Sequence, residues 1–154
     1  HGRAEDLAFF ARARDAIAGG LESLGDSLPH GPTHGDFHAF NAFVDQRGEV
    51  RLLDFDNCGT GTFAQELMSF VWSAEKSELG EKFINAFLEG YDSVRRLEAR
   101  EREFFPLLLA SKEYRYLCGF AKNVNAIGHV AFRWPGLDWF VASVAKHVTA
   151  AGLL

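Results

Sequence analysis

Positive charge, sulfur and long apolar runs are all scarce in this 154-residue chain. Sixteen Lys and Arg stand against twenty-one Asp and Glu, for a net charge of −5. A nucleic-acid binder usually shows a basic face, so the balance argues against nucleic acid as a partner. No stretch approaches the roughly 18–20 apolar residues that a membrane helix needs, and no signal peptide is recognisable. No membrane partner is therefore expected. The two cysteines, Cys58 and Cys118, form neither a CxxC pair nor a disulfide framework. A cytoplasmic location, where thiols stay reduced, suits them better than export. Internal repeats and low-complexity tracts are also absent.

Apolar and aromatic bulk is plentiful. Apolar residues make up 47% of the chain and aromatic ones 14%, including fifteen Phe and three Trp. That is enough for one full core, so residues 1–154 are read as a single domain. So many rings imply either a well-filled interior or a surface that expects a partner. Leu7, Phe10, Ile17, Leu21, Leu24 and Leu28 recur at helical steps, which predicts an amphipathic helix over about 4–24. The stretch "LPHGPTHG" cannot continue it, because Pro29 and Pro32 lack donors and fix φ. "AFV" (42–44), the polar turn "DQRG" (45–48) and "EVRLLDF" (49–55) predict a short hairpin, with Gly48 free to take positive φ. "DNCGTGT" (56–62) reads as loop. Helices are expected at about 64–76, 79–90, 93–104, 106–126 and 137–152, with a break at Pro135-Gly136. The fold class is α+β, mostly α: one helix, a hairpin carrying polar residues, then a helical bundle.

The polar residues concentrate in "THGDFHAFN", Thr33 to Asn41. His34, Asp36 and His38 at alternate positions could converge on one metal ion, as in a metal-dependent hydrolase. No Cys, His or acidic pair elsewhere clearly completes such a shell; His129 and His147 stand alone on helical patterns. The other reading takes Asp36 with Asn41. H-x-D-x-x-x-x-N is the spacing of a kinase catalytic loop, where the Asp accepts a hydroxyl proton and the Asn ligates Mg²⁺. A second carboxylate strengthens it. Asp54 closes the apolar strand thirteen residues after Asn41, so an outgoing and a returning strand deliver both to one hairpin edge. There they could share Mg²⁺ with the phosphates of a nucleotide.

"HGDFHAFN…LLDFD" resembles the aminoglycoside phosphotransferase and choline kinase family, small-molecule kinases with a protein-kinase-like fold. The matching residues are His34-Gly35-Asp36, Asn41 and Asp54-Phe55-Asp56. "GTFAQEL" is similar to the family's "G…xDLA" element, with Glu66 where an Asp is usual. The motifs cover about thirty-five residues. The resemblance implies that Asp36 is the catalytic base and that His34 orders the loop, bonding backbone near Asp54. It implies that Asn41 and Asp54 bind the Mg²⁺ of the nucleotide, with Asp56 a further candidate for metal. His38 and Phe40 receive no assigned chemistry. ATP is the implied co-substrate and a hydroxyl-bearing small molecule the implied acceptor.

A kinase also needs a glycine-rich loop and a strand lysine for its nucleotide. Neither G-x-G-x-x-G nor a V-A-x-K strand precedes His34; Gly59-Thr60-Gly61 is a lone GxG. In the family these parts occupy a sheet-rich N-terminal lobe. The expectation is that this chain, which opens at His1 rather than Met, is the C-terminal lobe alone and would turn over little by itself. The alternative is a non-catalytic, pseudokinase-like binding module. Acceptor contacts are sought among Glu113, Tyr114, Trp134, Asp138 and Trp139, although Tyr and Trp at helical spacing more often fill a core.

Overall fold

A computed structural model describes residues 3–77, 79–128 and 136–154, with 124, 125 and 127 described by backbone alone. His129, Trp134 and Pro135 lie outside the described residues. The chain divides into two compact units, Asp26–Phe105 and His1–Gly25 joined with Pro106–Leu154.

The second of these units is helical. Its helices are α1 (Ala4–Leu24), α5 (Phe105–Ile127) and α6 (Leu137–Ala150). On α1 the buried positions are Asp6, Phe10, Ala13, Ile17 and Leu24, a stripe at three- and four-residue steps. Gly20 continues that stripe. A methyl group there would come 2.9 Å from Cδ1 of Leu107, so the glycine lets α1 and α5 approach closely. On α6, Phe140, Val144 and Val148 are almost fully buried. Each large apolar side chain removed from water contributes roughly 1.5–3 kcal/mol. The Arg3 guanidinium donates to Asp6 at 2.7 Å and to Asp138 at 2.8 Å, tying the start of α1 to the start of α6.

The Asp26–Phe105 unit holds two small antiparallel sheets and three helices. The predicted hairpin forms as β2 (Ala42–Val44) and β3 (Val50–Leu52), in register Ala42 with Leu52 and Val44 with Val50. Asp45 makes its turn by accepting the N–H groups of Arg47 at 2.8 Å and Glu49 at 3.0 Å. Those two backbone donors, Glu49 first, hold the Asp45 carboxyl below its ordinary range. Gly48 takes φ 79° as the turn requires.

Two expectations are corrected here. The segment 56–62 is not all loop: Gly59–Thr62 is a strand, β4, paired with β1 (His30–Thr33) in register His30 with Thr62 and Thr33 with Gly59. In a two-stranded sheet every strand is an edge, so Pro32 is tolerated within β1. The expected helix over 93–104 does not form as one piece either. α3 (Gly80–Val94) runs on past residue 90, the chain then extends, and α4 (Ala99–Glu103) begins afresh. The interruption buries Leu97 and turns Arg95 to make a bidentate pair with the fully buried Glu101, its bonds all 3.1 Å. Glu98 and Glu101 cap α4 reciprocally.

Between the two sheets in sequence and the later helices comes α2 (Phe63–Lys76), capped by the Thr62 hydroxyl, which accepts from Gln65 N. Ala64, Leu67, Met68, Phe70, Val71 and Ala74 on α2 are buried. Phe70 stacks on Phe87 of α3 with centroids 3.8 Å apart, and Phe37 joins them at 5.3 Å from Phe70. These rings form the floor beneath the segment that holds the HGD motif. Among the described residues no helix is long and apolar enough to cross a membrane.

Candidate active site

The segment after β1 must turn at once, and Gly35 makes this possible. Its φ is 79°, and a Cβ there would overlap the Asn57 carbonyl oxygen. Only glycine fits, because L-residues avoid that conformation and the space is filled by backbone. The turn presents the N–H groups of His34 and Gly35 to one acceptor. The Glu66 carboxylate, in the first turn of α2, takes His34 N–H at 2.8 Å and Gly35 N–H at 3.1 Å. Glu66 had stood out in the sequence only as a departure from an expected Asp. The longer side chain still reaches the loop, and a carboxylate near a helix N-terminus also favours the helix dipole.

His34 is buried, and its Nε2 lies 2.6 Å from the Leu53 carbonyl oxygen. That contact makes Nε2 the protonated, donating nitrogen. The ring also packs on Phe55, with centroids 4.5 Å apart. His34 thus ties the HGD segment to the residue just before Asp54.

A single 3₁₀ turn, Ala39–Asn41, carries the chain from Asp36 into β2. Asn41 is buried, and its side-chain amide donates to the Asp36 carbonyl at 3.1 Å. Its own carbonyl accepts Leu53 N–H at 2.9 Å, extending the β2–β3 ladder by one bond. These bonds bring together the backbone of Asp36, Asn41 and Leu53. Asp54 follows with φ 59°, the one non-glycine residue with positive φ among those described. Such a conformation costs of order 1–3 kcal/mol and persists only where its surroundings enforce it. Here His34 and Asn41 fix Leu53 on both sides of its peptide.

The oxygen donors suit a hard cation. Asn41 spends its amide nitrogen on Asp36, which leaves the amide oxygen, with no hydrogen bond from any described residue, as a ligand. The exposed carboxylates of Asp54 and Asp56 likewise have no hydrogen-bond partner among the described residues. A neutral amide oxygen plus carboxylate oxygens is a donor set that fits Mg²⁺. The hydrolase arrangement is not what the histidines form. His34 Nε2 is committed to a carbonyl, and His38 Nε2 lies 3.7 Å from Oδ2 of Asp36. Among the described residues no group of three or more His, Cys, Asp and Glu gathers around a common point.

On the inner side of this loop lies a cavity of about 560 Å³, walled mainly by Phe37, Phe55, Phe63, Phe87 and Tyr91. In the helical unit the acceptor candidates among the described residues have the following surroundings. Glu113 is fully buried, the Tyr114 hydroxyl donates to the Phe10 carbonyl at 3.1 Å, and Asp138 is paired with Arg3. Trp139 packs edge-on against Phe140, 5.1 Å between centroids. Both Cys58 and Cys118 are free thiols.

This loop, with an aspartate, an asparagine and a second aspartate at a hairpin edge, sits in an α+β, mostly helical lobe of the protein-kinase-like kind. The model of the phosphotransferase enzyme family matches residues 1–104, and the chain belongs to that family. A homoserine kinase of Neisseria meningitidis is 31% identical over 105 residues, 66% of this chain and 33% of that protein. An uncharacterized protein of Synechocystis sp. is 35% identical over 78 residues, 46% of this chain and 22% of its own length. An uncharacterized protein of Deinococcus radiodurans is 32% identical over 135 residues, 82% of this chain and 40% of its own. The chain therefore spans well under half the length of these relatives. No solved structure matches it.

Proposed function

We propose that this chain is the catalytic lobe of an ATP-dependent phosphotransferase acting on a hydroxyl group, with Asp36 as the base. The observation that carries the reading is the pair of bonds joining Asn41 to Asp36 and to Leu53, which draws Asp36, Asn41 and Asp54 into one locality. In this reading the Asp36 carboxylate takes the proton of the acceptor hydroxyl. The acceptor oxygen forms its bond to the γ-phosphorus as the bond to the β-phosphate oxygen breaks, and ADP leaves. Asn41 and Asp54, with Asp56 near by, would hold Mg²⁺. When bound, the ion would offset the charge of the β- and γ-phosphates. His34 and Glu66 contribute no reacting atom; they hold the loop that presents Asp36. The adenine pocket and phosphate-binding lysine belong, in this reading, to a further lobe of the same protein.

The N. meningitidis relative makes L-homoserine the first acceptor to try, followed by choline, sugars and aminoglycosides. The test is Asp36→Asn in the protein with both lobes. We expect kcat to fall by about 10²-fold or more, while the circular dichroism melt stays where it was. Phosphoryl transfer that survives the substitution would sink the assignment of the base.

A further inference from the structure

We propose that His38 is a positioning residue for Asp36: its Nε2–H holds the carboxylate in the orientation that receives the acceptor's proton. The inference rests on the phosphotransferase reading and adds to it a residue to which nothing has yet given a role.

Three observations support it. First, His38 Nε2 faces Oδ2 of Asp36 at 3.7 Å, just beyond hydrogen-bond range. Catalytic hydrogen bonds in substrate-free enzymes are often long and close up only when substrate binds. Second, the ring has one orientation that makes electrostatic sense. Its Nδ1 is buried and has no hydrogen-bond partner, so a proton placed there would be stranded. A proton on Nε2 instead points at a carboxylate, whereas an Nε2 lone pair would repel it. Neutral His38 is thereby held in its Nε2–H tautomer. Third, the backbone on either side is pinned. The His38 carbonyl accepts Asn41 N–H at 2.9 Å, and Asn41 returns its amide to the Asp36 carbonyl. Phe40 meets the imidazole edge-on, with centroids 6.0 Å apart. Asp36, His38 and Asn41 therefore belong to one self-bonded turn that keeps the imidazole beside the carboxylate.

The function follows from geometry. A base that swings between rotamers is in place for only part of the time, and misplacement by about 1 Å can cost on the order of 10²-fold in rate. A donor beside Oδ2 limits the rotation of the carboxylate that is to receive the proton. The residue acts through Asp36, so its loss should lower kcat and leave the KM for ATP almost unchanged.

The test has two arms. In the chain described, ¹⁵N spectra of the His38 imidazole should show the Nε2–H tautomer, and Asp36→Asn should move the Nε2 resonance. An unmoved resonance overturns the proposal whatever the protein catalyses. In the two-lobed protein, with L-homoserine or the first hydroxyl acceptor found to be turned over, His38→Ala should lower kcat about 10-fold or more. His38→Gln, whose amide N–H reaches a similar point, should restore much of the loss. Full activity in His38→Ala, or no rescue by His38→Gln, also overturns the proposal. If the unaltered two-lobed protein transfers phosphate to no alcohol while the ¹⁵N contact is present, the phosphotransferase reading fails and the catalytic role falls with it.

Discussion

Gly20 and Gly35 both lack a methyl group that the surrounding structure would obstruct, yet they belong to different kinds of architecture. Gly20 lies within α1, where the obstacle is the tip of the Leu107 side chain. Gly35 has a left-handed backbone, and its obstacle is the Asn57 carbonyl, part of the main chain. In the helical unit, specificity lives in side chains that can shift. In the Asp26–Phe105 unit, around the HGD loop, it lives in backbone that cannot. A site built in the second manner keeps its atoms in register, at the expense of tolerating few substitutions.

The comparison can be broken in graded steps. Gly35→Ala should have the largest effect, because it combines the left-handed conformation with a backbone clash. A loss of roughly 3 kcal/mol or more is expected, read as a fall in the urea midpoint of the chain. A change of under half that size would mean the loop can relax, and the contrast with Gly20 would lose its basis. Glu66→Ala comes next. It strands the N–H groups of His34 and Gly35, at a cost of about 2–3 kcal/mol. Hydrogen exchange should then quicken at Gly35 and at Leu53, whose peptide shares the His34 anchor, while α6 amides keep their protection. Gly20→Ala should have the smallest effect. The gain in helix propensity, up to about 1 kcal/mol, offsets the displacement of Leu107, so the net shift should stay within about 1 kcal/mol. A loss as large as that of Gly35→Ala would show that α1 and α5 are packed as rigidly as the loop.

How far the sequence could be read divides along the same line. The α1 stripe, the hairpin around Asp45 and the apolar run of α2 were legible because their signals are local and repeat at a fixed period. Asp36, Asn41 and Asp54 were legible as a pattern of spacing. The strand Gly59–Thr62 was not: glycine is a poor strand former, and its partner lies twenty-six or more residues earlier in a proline-broken segment. The break before α4 was hidden too, since Leu97 and Glu101 fit a helical period and the reason to leave the helix is burial of an Arg95 pair. Glu66 looked like a mismatch because its purpose, two backbone donors thirty-one and thirty-two residues away, leaves no local trace.

Leu53 ties these threads together from an unexpected direction. Its N–H goes to Asn41 and its carbonyl to His34, yet its side chain is half exposed. The residue works as a hinge pin through its peptide atoms, whatever its side chain adds. Any residue that leaves the main chain undisturbed would serve. The joint between the two halves of the site is thus made by main-chain bonds, which a side-chain substitution at this position would leave in place.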